Sequence, residues 1–252
     1  MGDLSVLKQS FLKVGWFIPP YRFVGTLEMI ARSIDMRGDQ YDQDALERDL
    51  SGLYGPDGLA AMVLHRYPVT PIIQDYRVTI SEAIEAHFIG LDHVAVGGLV
   101  PVLEGVAVRL AAERNVTAKG ARNILTALAE GCKLISVQKR IGDTAEIASM
   151  MDAFSAYAAN YMYVDSAMYP FVDKTNRHGI AHGHYADVDY GRPLNFYKTI
   201  AAVDFLTLVS SFTTNSISGF APSQTPESKD LARYYISIGA FRRSKRPAST
   251  SG

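Results

Sequence analysis

Residues 176–184 read Asn-Arg-His-Gly-Ile-Ala-His-Gly-His, and three of the six histidines of this 252-residue chain fall within that run. An imidazole titrates near neutrality and can take or give a proton. A guanidinium offers a fixed fork of donors to phosphate oxygens and to charge that builds up in a transition state. Together these groups suit phosphodiester chemistry. In RNA cleavage a base removes the 2′-OH proton, and the oxyanion attacks the neighbouring phosphate without a metal or a protein nucleophile. Spacing complicates that picture. Each helical residue turns roughly 100°, so Arg177 and His182, five apart, would sit about 140° from each other, whereas His178 and His182 share a face. Two arrangements remove the difficulty: a helix that unwinds just before Gly183, or a site assembled from two copies of the chain across a two-fold axis. At a helix C-terminus, His182 would also feel the negative end of the dipole, which favours its protonated form.

Other chemistries remain open for the same residues. An Arg and two His near a helix end also serve as capping and surface groups. His178, His182 and His184, with Asp187 or Asp189, could supply zinc ligands, although no Cys and no His-Glu-x-x-His helix accompanies them. The chain has no phosphate-cradling Gly-rich loop ending in Lys-Ser/Thr, no strand-linked Gly-x-Gly-x-x-Gly and no Gly-x-Ser-x-Gly elbow. Glu104, in an apolar run, needs a partner, which is either an interior donor or a group in a cleft. Trp16, Tyr161, Tyr163 and Tyr169 are expected in the core, and so is the single Cys132. His65, His87 and His93 are isolated and are expected on the surface or satisfied in the core.

The elements that must position this cluster are helical throughout, because strand signals are scarce and apolar residues recur at helical intervals. Helices are expected over 4–18, stopped by Pro19-Pro20, and over 23–34 and 44–53. A turn at 54–58 precedes a helical piece at 59–66. Longer helices follow at 74–89, at 93–113 (bent or broken near Gly97-Gly98 and Pro101), at 119–134, and at 145–165 behind an N-cap at Thr144. Pro170 would open the helix that carries Arg177, and Gly183 would end it. A polar loop then leads to an apolar helix at 194–212. A last helix is expected at 231–241, ahead of a disordered basic tail that starts at Arg242. The expected division is an N-terminal helical layer at 1–66, a helical bundle at 67–221, and the last helix with its tail at 222–252.

A net charge of −1 argues against a broadly basic nucleic-acid coat, though not against a small basic site. One cysteine excludes an internal disulfide and suits a reducing compartment, so a cytoplasmic location is expected. Of two apolar stretches, 90–112 carries several charges, and 199–221, with only Asp204, is the stronger candidate for a membrane span. A buried core helix accounts for it better, so no membrane association is expected.

The cluster resembles a known signature. Arg177-His178-x-x-x-His182 is similar to that of the HEPN superfamily (higher eukaryotes and prokaryotes nucleotide-binding domains), an Arg followed after four to six residues by a His, commonly with a polar residue right after the Arg. The run 176–183, then Asp189-Tyr190-Gly191, Leu194-Asn195 and Asp204, resembles bacterial defence-associated HEPN-like (Apea-like) chains. So do residues 15–20 and 99–105, which extends the likeness from about residue 15 to 210. The resemblance implies a helical bundle whose signature helix faces a two-fold partner across a composite cleft. It also implies metal-independent ribonuclease activity in toxins or antiviral defence, with no cofactor. Carried over by position, Arg177 binds and stabilises the phosphate, His182 is the acid/base, His178 supports or shares those roles, and Asn176 helps to bind or orient. Implied partners are a second copy, RNA or a nucleotide, and an antitoxin or defence protein. Other members of the superfamily are inactive binding or dimerisation modules, and that alternative stands beside the enzyme.

Overall fold

In the computed structural model, which describes residues 4–212 and 219–245, the first helix already departs from expectation. Helix α1 (Leu4–Lys13) ends well short of Pro19-Pro20. Gly15, at φ +67°, donates to Leu12 O, and Trp16 N donates to Phe11 O at 2.9 Å, the paired bonds of a Schellman cap. The Trp16 ring packs 4.6 Å from Phe11, the apolar contact that accompanies such a cap. The Phe171 ring occupies the space that a Cβ on residue 15 would need, so a side chain is excluded there on two counts. Beyond the cap the chain leaves the helix, and Phe17 enters the core against Phe154, Tyr157 and Phe205.

Helix α2 (Val24–Arg37) and helix α3 (Gln43–Leu53, N-capped by Asp42) follow. Helix α4 (Pro56–His65) starts inside the expected turn, because Pro56 takes the first helical position, where its missing N–H costs nothing. Helix α5 (Arg77–Phe88) is preceded by a 3-10 turn at Ile73–Tyr76. Helix α6 (Asp92–Glu113) runs unbroken through Gly97-Gly98 and Pro101. Helix α7 (Ala121–Lys139) precedes helix α8 (Thr144–Tyr157), whose N-cap is Asp143 rather than Thr144. A wide π turn, Ala158–Met162, continues α8. Helix α9 (Arg177–Ala181) is one short turn, helix α10 (Pro193–Ser211) is long, and helix α11 (Pro226–Lys245) closes the described chain. Among the described residues all regular structure is helical.

Helix α10 is buried on every side, with α6, α3 and α7 around it. Its apolar residues therefore show no single face. Helix α1 packs on α2 and α8, and α11 packs on α4 and α5. One hydrophobic core runs through all of these contacts. Part of the expected tail, 242–245, is the last turn of α11, and 246–252 lie outside the described residues. That helix begins earlier than expected because Pro226 opens it and Thr225 and Ser228 cap each other's backbone N–H.

Helix α6, rather than the 199–221 stretch, is the described helix long and apolar enough to cross a bilayer, and in the fold it packs against α5, α7 and α10. The charges inside α10 are accounted for locally. Asp204 is fully buried, pairs with Arg22 at 3.0 Å and accepts from the Tyr67 hydroxyl at 2.8 Å. Desolvation still pushes its carboxyl up to about 6, against the pull of Arg22 and Tyr67.

Candidate functional site

The backbone ahead of Arg177 is not helical, contrary to the expectation that Pro170 opens the helix; residues 169–176 form a loop pinned from below. Asp173 is the pin. Its buried carboxylate accepts from the Tyr169 hydroxyl at 3.2 Å, from the Thr175 amide and hydroxyl, and from Lys198 Nζ at 3.0 Å. Lys198, on α10 and wholly buried, also donates to Gln43 Oε1 at 2.8 Å. Burial lowers the Lys198 ammonium from its ordinary value, and Asp173 opposes that shift. Asn195 works on two sides at once. Its Nδ2 donates to Asp173 O at 2.6 Å and to Thr175 Oγ1 at 2.7 Å, and its Oδ1 accepts from the amides of Gly191 and Arg192. The start of α10 and the loop before α9 are thereby locked together.

Asn176 then starts α9. Its Oδ1 accepts from Gly179 N at 2.9 Å, and its Nδ2 donates to the carbonyls of Tyr161 and Val164, at the end of the π turn, at 2.8 and 2.9 Å. The side chain is fully buried and its polar atoms are held by backbone groups, so Asn176 positions the turn. Gly179 sits against the ring of Tyr185, which leaves no room for a Cβ. A second Schellman cap ends the turn: Gly183 N donates to Ile180 O and His184 N to Gly179 O, with Gly183 at φ +68°. The cap places His182 at φ −101°, ψ 6°, outside regular helix.

That departure brings the two key side chains together. Arg177 NH1 lies 2.8 Å from His182 Nε2 and 3.3 Å from His178 Nδ1, all within one chain. A guanidinium can only donate, so both ring nitrogens accept. His182 therefore carries its proton on Nδ1 in this arrangement, and the dipole of a five-residue turn is slight beside the adjacent guanidinium. The far edge of Arg177 grips Glu104 of α6: NH2 donates to Oε2 at 2.7 Å and Nε meets Oε1. Nε lies close to the carboxylate without a hydrogen bond to it, so the charge-assisted bond from NH2 is what ties the guanidinium to α6. Glu104 thus reaches the cleft. Burial lowers the His178 imidazole from its ordinary value, and the Arg177 charge adds to the effect.

A cleft of about 570 Å³ opens beside this cluster, lined by Glu104, Val108, Gly120–Ile124, Tyr163, Arg177 and His178. Tyr163, expected in the core, is a wall of the cleft, and its ring stands edge-on to His178. His178, His182 and His184 lie in a row with ring centres 5.7 and 6.1 Å apart, and among the described residues no three His, Cys, Asp or Glu side chains converge as metal ligands. Asp189 caps its own loop by accepting from Ala186 N. Tyr190 packs on His93, whose ring presses on Gly191, φ +93°, where a Cβ would collide. Cys132 is buried, its sulfur 3.3 Å from Arg114.

Sequence reasoning missed Asp173 and Lys198. A lysine inside an otherwise apolar helix was the available signal, since a buried ammonium demands a carboxylate. No family model matches this chain, and neither does any curated protein or solved structure.

Proposed function

We propose that the chain is a metal-independent endoribonuclease of the HEPN type, with Arg177 and His182 as its catalytic pair. The observation that carries this reading is the 2.8 Å approach of Arg177 NH1 to His182 Nε2, beside a cleft and with the guanidinium tied to Glu104 through NH2. A scissile phosphate takes the donation that NH1 now gives to His182. His182 Nε2, freed and unprotonated, accepts the 2′-OH proton as the 2′-oxygen attacks phosphorus. The 5′-oxygen leaves with a proton from solvent, and a 2′,3′-cyclic phosphate remains. Arg177 stabilises the charge that gathers on the phosphoryl oxygens. His178, stacked at 14° to the His182 ring, holds the second hydrogen of NH1 and keeps the guanidinium turned towards the cleft.

Because one chain brings Arg177 and His182 together, a homodimer of the kind the resemblance implies would present two complete pairs. The reading further assigns the chain to a cytoplasmic defence or toxin system with an antitoxin or trigger as partner. Mixed RNA incubated in EDTA with purified wild type and His182→Ala tests the chemistry. Cleavage by the wild type alone, leaving 2′,3′-cyclic phosphate ends, is the expected result. The non-catalytic binding module remains the second reading because Glu104 already balances the Arg177 charge. RNA binding without cleavage by the wild type would favour it.

A further inference from the structure

The Arg177–Glu104 pair leaves the cleft short of net positive charge. A phosphate that approaches Arg177 meets a guanidinium already held by a carboxylate, so the attraction that draws an RNA strand into the cleft must come from elsewhere. The same cleft is lined by the first turn of α7, which carries Arg122. Arg122 is exposed and makes no ion pair among the described residues. The lining also includes Val108 of α6, Ile124 of α7 and Tyr163, beside the polar Asn123. Val108 is 55% exposed, so this apolar surface is open to a ligand rather than filled by the protein. The cleft volume, about 570 Å³, lies within the range of small-molecule sites. A cleft that combines cations with apolar and aromatic side chains suits a single strand, which presents phosphates and bases together.

We propose that this cleft seats the nucleotide adjoining the cleaved phosphate, with Arg122 holding that nucleotide's own phosphate and Val108, Ile124 and Tyr163 taking its base. The assignment rests on the reading of Arg177 and His182 as an RNA-cleaving pair. Arg122 is then a binding residue that sets affinity and leaves the chemical step to Arg177 and His182. Base contact through apolar and aromatic surface gives little discrimination among sequences.

Fluorescence anisotropy with a labelled 2′-O-methyl oligoribonucleotide, which cannot be cleaved, separates seating from chemistry. Wild type, Arg122→Ala, Arg122→Lys and Val108→Glu, all full-length, are compared across a range of salt. Arg122→Ala is expected to weaken binding about tenfold and to reduce the salt slope by about 0.7, the loss of one single-strand phosphate contact. Arg122→Lys should recover most of the affinity, and Val108→Glu should lose it. With cleavable RNA, Arg122→Ala should raise KM and leave kcat within about twofold. Unchanged affinity and salt slope in Arg122→Ala, or no binding by the wild type, would overturn the proposal. Binding that depends on Arg122 in a wild type that cuts no RNA would remove the ribonuclease reading and keep the site. Cleavage that ignores Arg122 would do the reverse.

Discussion

Asp173 and Arg177 stand four residues apart, and each belongs to an ion pair, yet the two pairs serve opposite ends. Lys198–Asp173 is sealed, with both side chains wholly inaccessible to solvent, and every partner is a fixed group of the fold. Arg177–Glu104 stands at the edge, with the side chains 18% and 29% exposed, and one edge of its guanidinium faces two imidazoles and a cleft. A buried pair gains little net stability over an apolar substitute, but losing one partner strands a charge. It therefore specifies geometry, here the path of residues 173–176 into α9. The open pair can exchange partners, which a phosphate-binding group must do. The sealed pair fixes where the open pair stands.

Breaking the sealed pair should have the largest effect. Lys198→Ala or Asp173→Ala is expected to destabilise the fold by about 3–5 kcal/mol, read from urea unfolding. A loss below about 1 kcal/mol would show that the loop does not depend on the pair. Breaking the open pair should separate function from stability: Arg177→Ala is expected to lower RNA cleavage by about 10²–10³ and to shift stability by only about 1 kcal/mol. Asn176→Ala lies between the two. It removes an N-cap and both carbonyl contacts to the π turn, so about 1–2 kcal/mol should be lost, with activity falling because Arg177 and His182 move together.

The smallest effect sharpens the electrostatics. His178, seen by NMR titration, should titrate below about 6.5 in the wild type and move upward in Arg177→Ala as the neighbouring positive charge is removed. A depressed imidazole means the unfolded chain binds that proton more readily than the folded one. This group's contribution is therefore present above about 6.5 and lost as pH falls through that window. A His178 value that does not change between the two proteins would show that Arg177 does not face its ring.

Helix type and order were legible because apolar spacing and proline placement act locally. The misjudged ends have local causes too: Gly15 stops α1 through a Schellman cap, and Pro56 opens a helix where a turn seemed due. Arg177, His178 and His182 were legible as a cluster. Their meeting was not, because it depends on the departure of His182 from helical angles under the Gly183 cap. Asp173 could not be placed from sequence at all: Lys198 lies 25 residues away and Gln43 a further 155 from Lys198, and only packing joins them. The cleft wall of Tyr163 and Arg122 is equally non-local, since α7 and α9 are brought to one cleft by packing on α6.

The most direct test of the single-chain catalytic pair is complementation. Arg177→Ala and His182→Ala are purified separately, then mixed under conditions that allow subunits to exchange, and RNA cleavage is followed in EDTA. Because Arg177 and His182 meet within one chain, the mixture should stay as inactive as either variant while the wild type cuts. Cleavage restored by mixing would place the two groups on different copies and contradict the single-chain site, and an inactive wild type would contradict the ribonuclease itself.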